Sequence, residues 1–211
     1  MTRSALLRLA AVATAALSLS ACVSLLPKTK PANLYRFGQA PAAADALTAA
    51  EGQVGVFRTN GLFQREAAGD RLVTVNGSGQ VAYLAETRWV APAAILWDEA
   101  VLAAFDADPG RARLISRGEP ASAAYLLRVD VRSFEARYDH GSKAPPTVVV
   151  RIRAAMTKGG DRSLVAEKLF EQQVPASSNH VSAIVPAYDK AVAGVLKDLV
   201  AWTNEQAAPV T

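Results

Sequence analysis

The run Ala124-Tyr125-Leu126-Leu127-Arg128-Val129-Asp130-Val131-Arg132-Ser133-Phe134-Glu135-Ala136-Arg137-Tyr138 decides how this chain folds. Leu127, Val129 and Val131 share one parity, as expected of a strand whose alternate side chains face a core. Phe134 falls on the other parity. The apolar face continues past Val131 only if the register slips there, which places a bulge or bend near Arg132 and Ser133. The polar loop Asp139–Pro146 follows, closed by two prolines. Thr147–Met156 then reads as the next strand, Lys158-Gly159-Gly160-Asp161 as its turn, and Leu164–Val174 as the returning hairpin partner.

Strands also precede this run. Val54–Phe57 leads into the turn dipeptide Asn60-Gly61, and Arg71–Val75 alternates about Leu72 and Thr74. Asn76-Gly77-Ser78-Gly79 reverses the chain, because glycine and asparagine tolerate positive φ, and Val81–Thr87 returns as the partner. With no following lysine and no helix, this glycine run is a turn and not a phosphate cradle. Leu34–Phe37 and Arg113–Arg117 are short strand candidates. Ala40–Gln53 is alanine-rich without large apolar anchors, so it reads as a loop or a weak surface helix.

Two helices complete the set. Pro92 opens the first, to about Asp106, with Ala94, Trp97, Val101 and Phe105 in one stripe widened by Ile95 and Leu102. Asp108-Pro109-Gly110 ends it. The second spans about Asn179–Glu205, with Asn179 as N-cap and an apolar face running from Val181 through Tyr188, Leu196 and Leu199 to Trp202. Pro186 leaves two options: a kinked helix, or a regular part that starts near Val185. The order of elements predicts a single α+β domain over residues 34–205, mostly antiparallel in its sheet, with two helices packed on one face and a tail at 206–211.

The N-terminus has a different character. Arg3 and Arg8 precede the apolar run Leu9–Leu19 and then small residues, the order of a secretory signal over residues 1–21. The run falls short of the ~20 apolar residues that span a bilayer. Leu19-Ser20-Ala21-Cys22 resembles the lipobox of bacterial lipoproteins, in which the cysteine receives diacylglycerol and, after cleavage, an N-acyl chain such as palmitate. Cys22 is the chain's only cysteine, and acylation removes a thiol that would lack a partner in an oxidising compartment. Residues 22–33, with Pro27 and Pro31, form a lipidated tether. The eleven residues Val23–Asn33 reach about 36–40 Å when extended. Loss of Arg3 and Arg8 lowers the net charge from +4 to +2. No basic block interleaved with aromatics occurs, which argues against nucleic acid as a partner.

Catalytic chemistry finds no constellation. His140 lies in a loop and His180 at a helix start, and each reads as a solvated polar residue. Gly-x-Ser-x-Gly does not occur. Asp98, Glu99 and Asp189 are isolated carboxylates, and Asp106 and Asp108 flank a helix end. No metal ligand set and no cofactor is expected besides the acyl chains on Cys22. Trp97 and Trp202 read as core residues. Trp89, beside Arg88 at a strand-to-helix junction, is either packed or offered to a partner.

The ordered set Tyr83-Leu84-Ala85, Arg88-Trp89, Pro92 and the helix to Phe105 resembles the ABC-type transport auxiliary lipoproteins, relatives of the paraquat-inducible lipoprotein C. Tyr125–Glu135, then Ala166–Glu171 with Val174-Pro175-Ala176, and the ending Val200-Ala201-Trp202-Thr203 continue the likeness over about Leu34–Thr203. Pro186 departs from it. The resemblance implies a non-catalytic, periplasm-facing lipoprotein working with a mammalian-cell-entry domain protein and its ABC permease and ATPase to move phospholipid or other hydrophobic molecules. Val23, where an inner-membrane retention signal would have aspartate, favours the outer membrane. Residues that the fold does not need are the candidate partner contacts: Asp139, His140 and Lys143 in the loop, and Arg88 and Trp89 at the junction. A lipid-binding carrier and an activator of another envelope machine are the alternatives, and a homo-oligomer is left open.

Acyl chains bury dozens of methylenes at roughly 0.8 kcal/mol each, which makes an anchor at Cys22 effectively permanent. Cys22→Ala is expected to abolish lipidation and normal processing. Intact mass spectrometry of the membrane form checks this, and an unmodified Cys22 there ends the lipoprotein reading.

Overall fold

In the computed structural model, residues 31–38, 52–108, 110–115, 118–119 and 121–207 are described. The signal, Cys22, most of the tether, most of Ala40–Gln53 and the end of the tail lie outside them. Ala32–Thr211 forms one compact unit by itself. Its strands are β1 (Asn33–Tyr35), β2 (Val54–Thr59), β3 (Arg71–Asn76), β4 (Val81–Trp89), β5 (Ala112–Ile115), β6 (Tyr125–Tyr138), β7 (Thr147–Lys158) and β8 (Leu164–Pro175). The helices are α1 (Ala93–Asp106) and α2 (Val181–Gln206).

The parity switch in β6 is a bulge. Opposite β7, Val131 pairs with Ile152 while Ser133 pairs with Arg151, so Arg132 is the inserted residue. Leu127, Val129, Val131, Phe134 and Ala136 therefore all reach the core, each 2% exposed or less. The hairpins β6–β7, β7–β8 and β3–β4 are antiparallel, as expected.

The prediction of a mostly antiparallel sheet needs correction. Four of the seven strand pairings are parallel: β1–β4, β2–β5, β2–β6 and β3–β6. The reason lies beyond Asn60-Gly61, where the chain does not turn back. It runs on along the same edge of β6, so that β2 pairs with the first part of that strand and β3 with the last. The segment between them fills the gap at the bulge. Val131 N–H donates to Leu62 O at 2.7 Å, and Gln64 N–H donates to Val131 O at 3.0 Å. Leu62 N–H donates to Asp130 Oδ1 at 2.8 Å, and Phe134 N–H to Gln64 Oε1 at 2.9 Å. Gly61 is required here, because a Cβ would lie 1.7 Å from Val129 O.

α2 packs on β7 and β8 and touches α1, which in turn contacts β5. It starts at Val181 and runs through Pro186, which removes the reading of a start near Val185. Pro186 is exposed, so water can satisfy the Ser182 carbonyl that lacks its N–H partner. His180 is the N-cap, without a side-chain cap bond, and the predicted cap Asn179 is used elsewhere. α1 buries Ala93, Leu96, Trp97, Ala100, Val101 and Phe105. The predicted flank residues Ile95 and Leu102 are instead 50% and 41% exposed, because the buried arc is centred between Trp97 and Ala100.

An aromatic cluster joins the layers. Phe37, Trp89 and Tyr188 meet Phe134 with ring centroids 5.0, 6.3 and 5.0 Å away, in tilted or edge-on geometry. Tyr188 OH donates to Val73 O at 3.3 Å, and burial pushes its pKa up.

Leu199 is fully buried in α2. Leu199→Ala should cost about 2–5 kcal/mol through the cavity it leaves, whereas exposed Lys197→Ala should stay within about 0.5 kcal/mol. Denaturant melts check both. For Asp130, burial raises the pKa, but the Leu62 N–H, Arg128 and Arg132 outweigh it and hold the carboxyl below its usual range. A depressed folded-state pKa stabilises above the unfolded value of about 3.9, and that contribution fades as pH falls through the folded value. Asp130→Asn should therefore flatten the acid limb of a stability-versus-pH curve measured by urea melts.

Candidate functional site

The loop after β6 is held in place by side chains at its base. Tyr138 OH donates to Asn179 Oδ1 at 2.8 Å, and Asn179 Nδ2 donates to Ser142 O at 2.8 Å. Asn179 thus ties the loop to the start of α2, which explains why it does not cap the helix. Ala176 N–H donates to Pro146 O at 2.9 Å and closes the other side. Asp139, His140 and Lys143 are all exposed on this fixed loop, with Arg137 Nη2 reaching Asp139 Oδ1 at 3.4 Å.

The β3–β4 turn adjoins it: a Cβ on Gly77 would lie 3.7 Å from Asp139 O. That turn is wound around Asn76 Oδ1, which accepts from Ser78 N–H, Ser78 Oγ and Gln80 N–H at 3.1, 2.7 and 2.9 Å. One end of the sheet therefore presents Asn76–Gln80, Asp139–Lys143 and Asn179-His180 together. Sequence reasoning singled out only the middle segment. The Asn-Gly-Ser-Gly turn was visible, but its neighbour across the parallel β3–β6 pairing was not.

Arg88 and Trp89 belong elsewhere. Arg88 is exposed near the far end of β4 from that turn, about 20 Å of strand away, and pairs with Asp70 at 2.6 Å. Trp89 is 2% exposed and sits edge-on to Phe37 and Tyr188. It offers no ring to a partner. Of the two readings of this junction, packing is the correct one for the tryptophan.

The outer face of β6–β7–β8 is charged but paired. Arg153 grips Glu167 through two bonds at 2.7 and 2.5 Å, and Arg151 bonds Glu171. These hydrogen bonds hold both carboxyls below, and both guanidiniums above, their usual ranges. Asp130, 2% exposed, takes Arg128 at 3.0 Å and Arg132 at 3.4 Å. Arg151 and Arg153 are thus paired one to one with carboxylates of β8, while Arg128 and Arg132 share the single carboxylate of Asp130.

A groove of about 820 Å³ runs beside β1 between the helices, floored by Ala100, Ala104 and Leu196 and rimmed by Asp189, Lys190 and Lys197. Asp189 accepts the Gly38 N–H at 3.0 Å, and burial raises the carboxyl's pKa against that bond. Burial likewise raises Asp106. Among the described residues no three His, Cys, Asp or Glu side chains gather as metal ligands would. Nor is any described helix long and apolar enough to cross a membrane.

Solved structures share this fold. Protein XCC0632 from Xanthomonas campestris superposes with a TM-score of 0.67 at 23% identity, over 83% of this chain and 96% of its own. An uncharacterized protein gives 0.63 at 14% identity over 82% and 99%, and CT253 from Chlamydia trachomatis gives 0.51 at 9% identity over 73% and 97%. No curated protein matches. The profile of the ABC-type transport auxiliary lipoprotein component family matches residues 63–200, from the segment that fills the β6 bulge to the last turns of α2. The chain belongs to that family of ABC-type transport auxiliary lipoprotein components.

Proposed function

We propose that this chain is lipidated at Cys22, hangs from the outer membrane into the periplasm, and serves as a non-catalytic docking component. Its partner is a mammalian-cell-entry domain protein that works with an ABC permease and ATPase to move phospholipid or other hydrophobic molecules. Family membership carries this reading, since the family is one of transport auxiliaries. The interior supports docking over carriage: Trp97, Tyr188, Phe134 and Leu199 fill the space between helices and sheet, each 1% exposed or less. A carrier would enclose its cargo there.

The contact surface in this proposal is the end of the sheet formed by Asp139, His140 and Lys143 with the adjoining turn Asn76–Gln80. The loop is anchored by Asn179 at its base while its charged tips stay free of the core. Arg88 and Trp89 lie outside it.

Charge reversal at the loop tests the assignment. Asp139→Lys with Lys143→Glu should weaken capture of the partner's periplasmic region by about tenfold or more, because rim charges govern association. The melting temperature should not change. Binding measured with the lipoprotein displayed on a bilayer checks both halves. If the purified pair does not bind there at all, docking fails and the carrier reading takes its place.

A further inference from the structure

Between β2 and β3 one side of the chain has no neighbouring strand among the described residues. β5 pairs with Val54–Phe57 and stops at Ile115, and β4 meets that side again only near Arg71. In the interval Leu62 and Gln64 turn to β6: Leu62 O accepts the Val131 N–H, Gln64 N–H donates to Val131 O, and Leu62 N–H donates to Asp130. Phe63 is bridged to Val131 in the parallel sense, so its own N–H and C=O face the opposite edge. Among the described residues neither group of Phe63 finds a hydrogen-bond partner, and neither does either group of Gly61. Unpaired backbone groups along a sheet edge are a template for another strand.

A crevice of about 350 Å³ opens beside this edge, between Gly61–Phe63 and α1, with Ile115 lining it where β5 stops. Its floor is Val129 and Val131 on the core face of β6. Leu62 and Leu102 stand in its walls, 60% and 41% exposed, and burial would stabilise both. The walls carry polar groups of both kinds. Among the described residues, Trp97 Nε1 and Arg58 Nε are buried donors without a partner. Such donors have lost water and gained nothing in return. Asp98 gives only its Oδ1 to Arg58, and its side chain is 63% exposed, so an acceptor oxygen stays open.

We propose that this crevice takes an extended segment of a partner protein as an added strand, which continues the sheet in the place that β5 leaves. The segment's carbonyl and N–H pair with the Phe63 N–H and C=O. One of its apolar side chains enters the crevice onto Val129 and Val131, with Leu62 and Leu102 closing against it. The polar inventory selects a peptide. Donors are present at Phe63, Trp97 and Arg58, and acceptors at the Phe63 carbonyl and Asp98. A peptide backbone brings both kinds in each residue, whereas a hydrocarbon chain with an acyl end leaves both acceptors unmatched. The site is separate from the docking loop, because Val131 and Tyr138, at the base of that loop, lie about 20 Å apart along β6.

The test uses the mature chain carrying Cys22→Ala and the probe peptide acetyl-Lys-Val-Leu-Val-Lys-amide, whose apolar centre suits the crevice and whose lysines suit Asp98. In two-dimensional nitrogen–proton spectra the Phe63 amide should shift saturably, and its exchange with water should slow about tenfold or more. The same peptide N-methylated at its valines and leucine keeps the side chains but loses the donors, and should produce neither change. Leu62→Ser with Leu102→Ser, both at exposed positions, should weaken peptide binding about tenfold or more without lowering the melting temperature. Asp139→Lys with Lys143→Glu should bind the peptide as the parent does, which tells failure here apart from failure of the docking loop. A Phe63 amide that ignores the peptide, equal binding by the N-methylated peptide, or the same shift from sodium dodecanoate overturns the inference. So does protection of the Phe63 amide that grows with protein concentration alone, which assigns the edge to a second copy of this chain.

Discussion

A strand of fourteen residues cannot keep one apolar face from Leu127 to Ala136 when its sequence changes parity midway, unless a residue is inserted. Arg132 is that residue, and the break it makes in the ladder with β7 has to be repaired from the other side. The repair comes from Leu62, Phe63 and Gln64, whose backbone and side chains take up the groups of Val131 and Phe134. Asp130, buried between two arginines, fixes the crossing by accepting the Leu62 N–H. Gly61 is needed because the chain passes against the Val129 carbonyl. Direction follows from this contact. A chain that must continue past the bulge cannot reverse at Asn60, so β2 and β3 run parallel to β6.

The same insertion delivers Phe134 to the core, and the aromatic cluster forms around it. Phe37 arrives after β1, Trp89 at the end of β4, and Tyr188 from α2. Elements far apart in sequence are thereby tied to one ring. This is why Trp89 is a packing residue: its strand ends where the cluster needs a large edge-on partner. It also explains why α2 tolerates Pro186. The helix is held by Ile184, Val185 and Tyr188 on its buried side, while the proline faces water.

Among the described residues, the open face of the sheet carries mostly paired charge. Arg151 and Arg153 pair with Glu171 and Glu167 across β7 and β8, and Arg128 and Arg132 share Asp130 on β6. The exceptions are local: a loop and a turn fixed side by side at one end of the sheet, and a crevice beside α1 with unpaired donors in its walls. An accessory protein that positions other molecules needs such fixed surfaces more than it needs reactive groups. The family to which the chain belongs is one of ABC-type transport auxiliary lipoprotein components.

By itself the sequence determined the elements, the bulge and the family. Periodicity located the long strands and both helices to within a few residues, and the parity change at Phe134 marked the insertion at Arg132, because both are local consequences of side-chain direction. The partners of those elements were another matter. Parallel pairing of β2 and β3 with β6 depends on a crossing whose driving contacts, Leu62 with Asp130 and Gln64 with Phe134, join residues nearly seventy positions apart. The rotation of the α1 stripe away from Ile95 and Leu102, the burial of Trp89 and the diversion of Asn179 from helix cap to loop anchor arise in the same way. Each is settled by competition for a shared neighbour in space, and no local pattern records which neighbour wins.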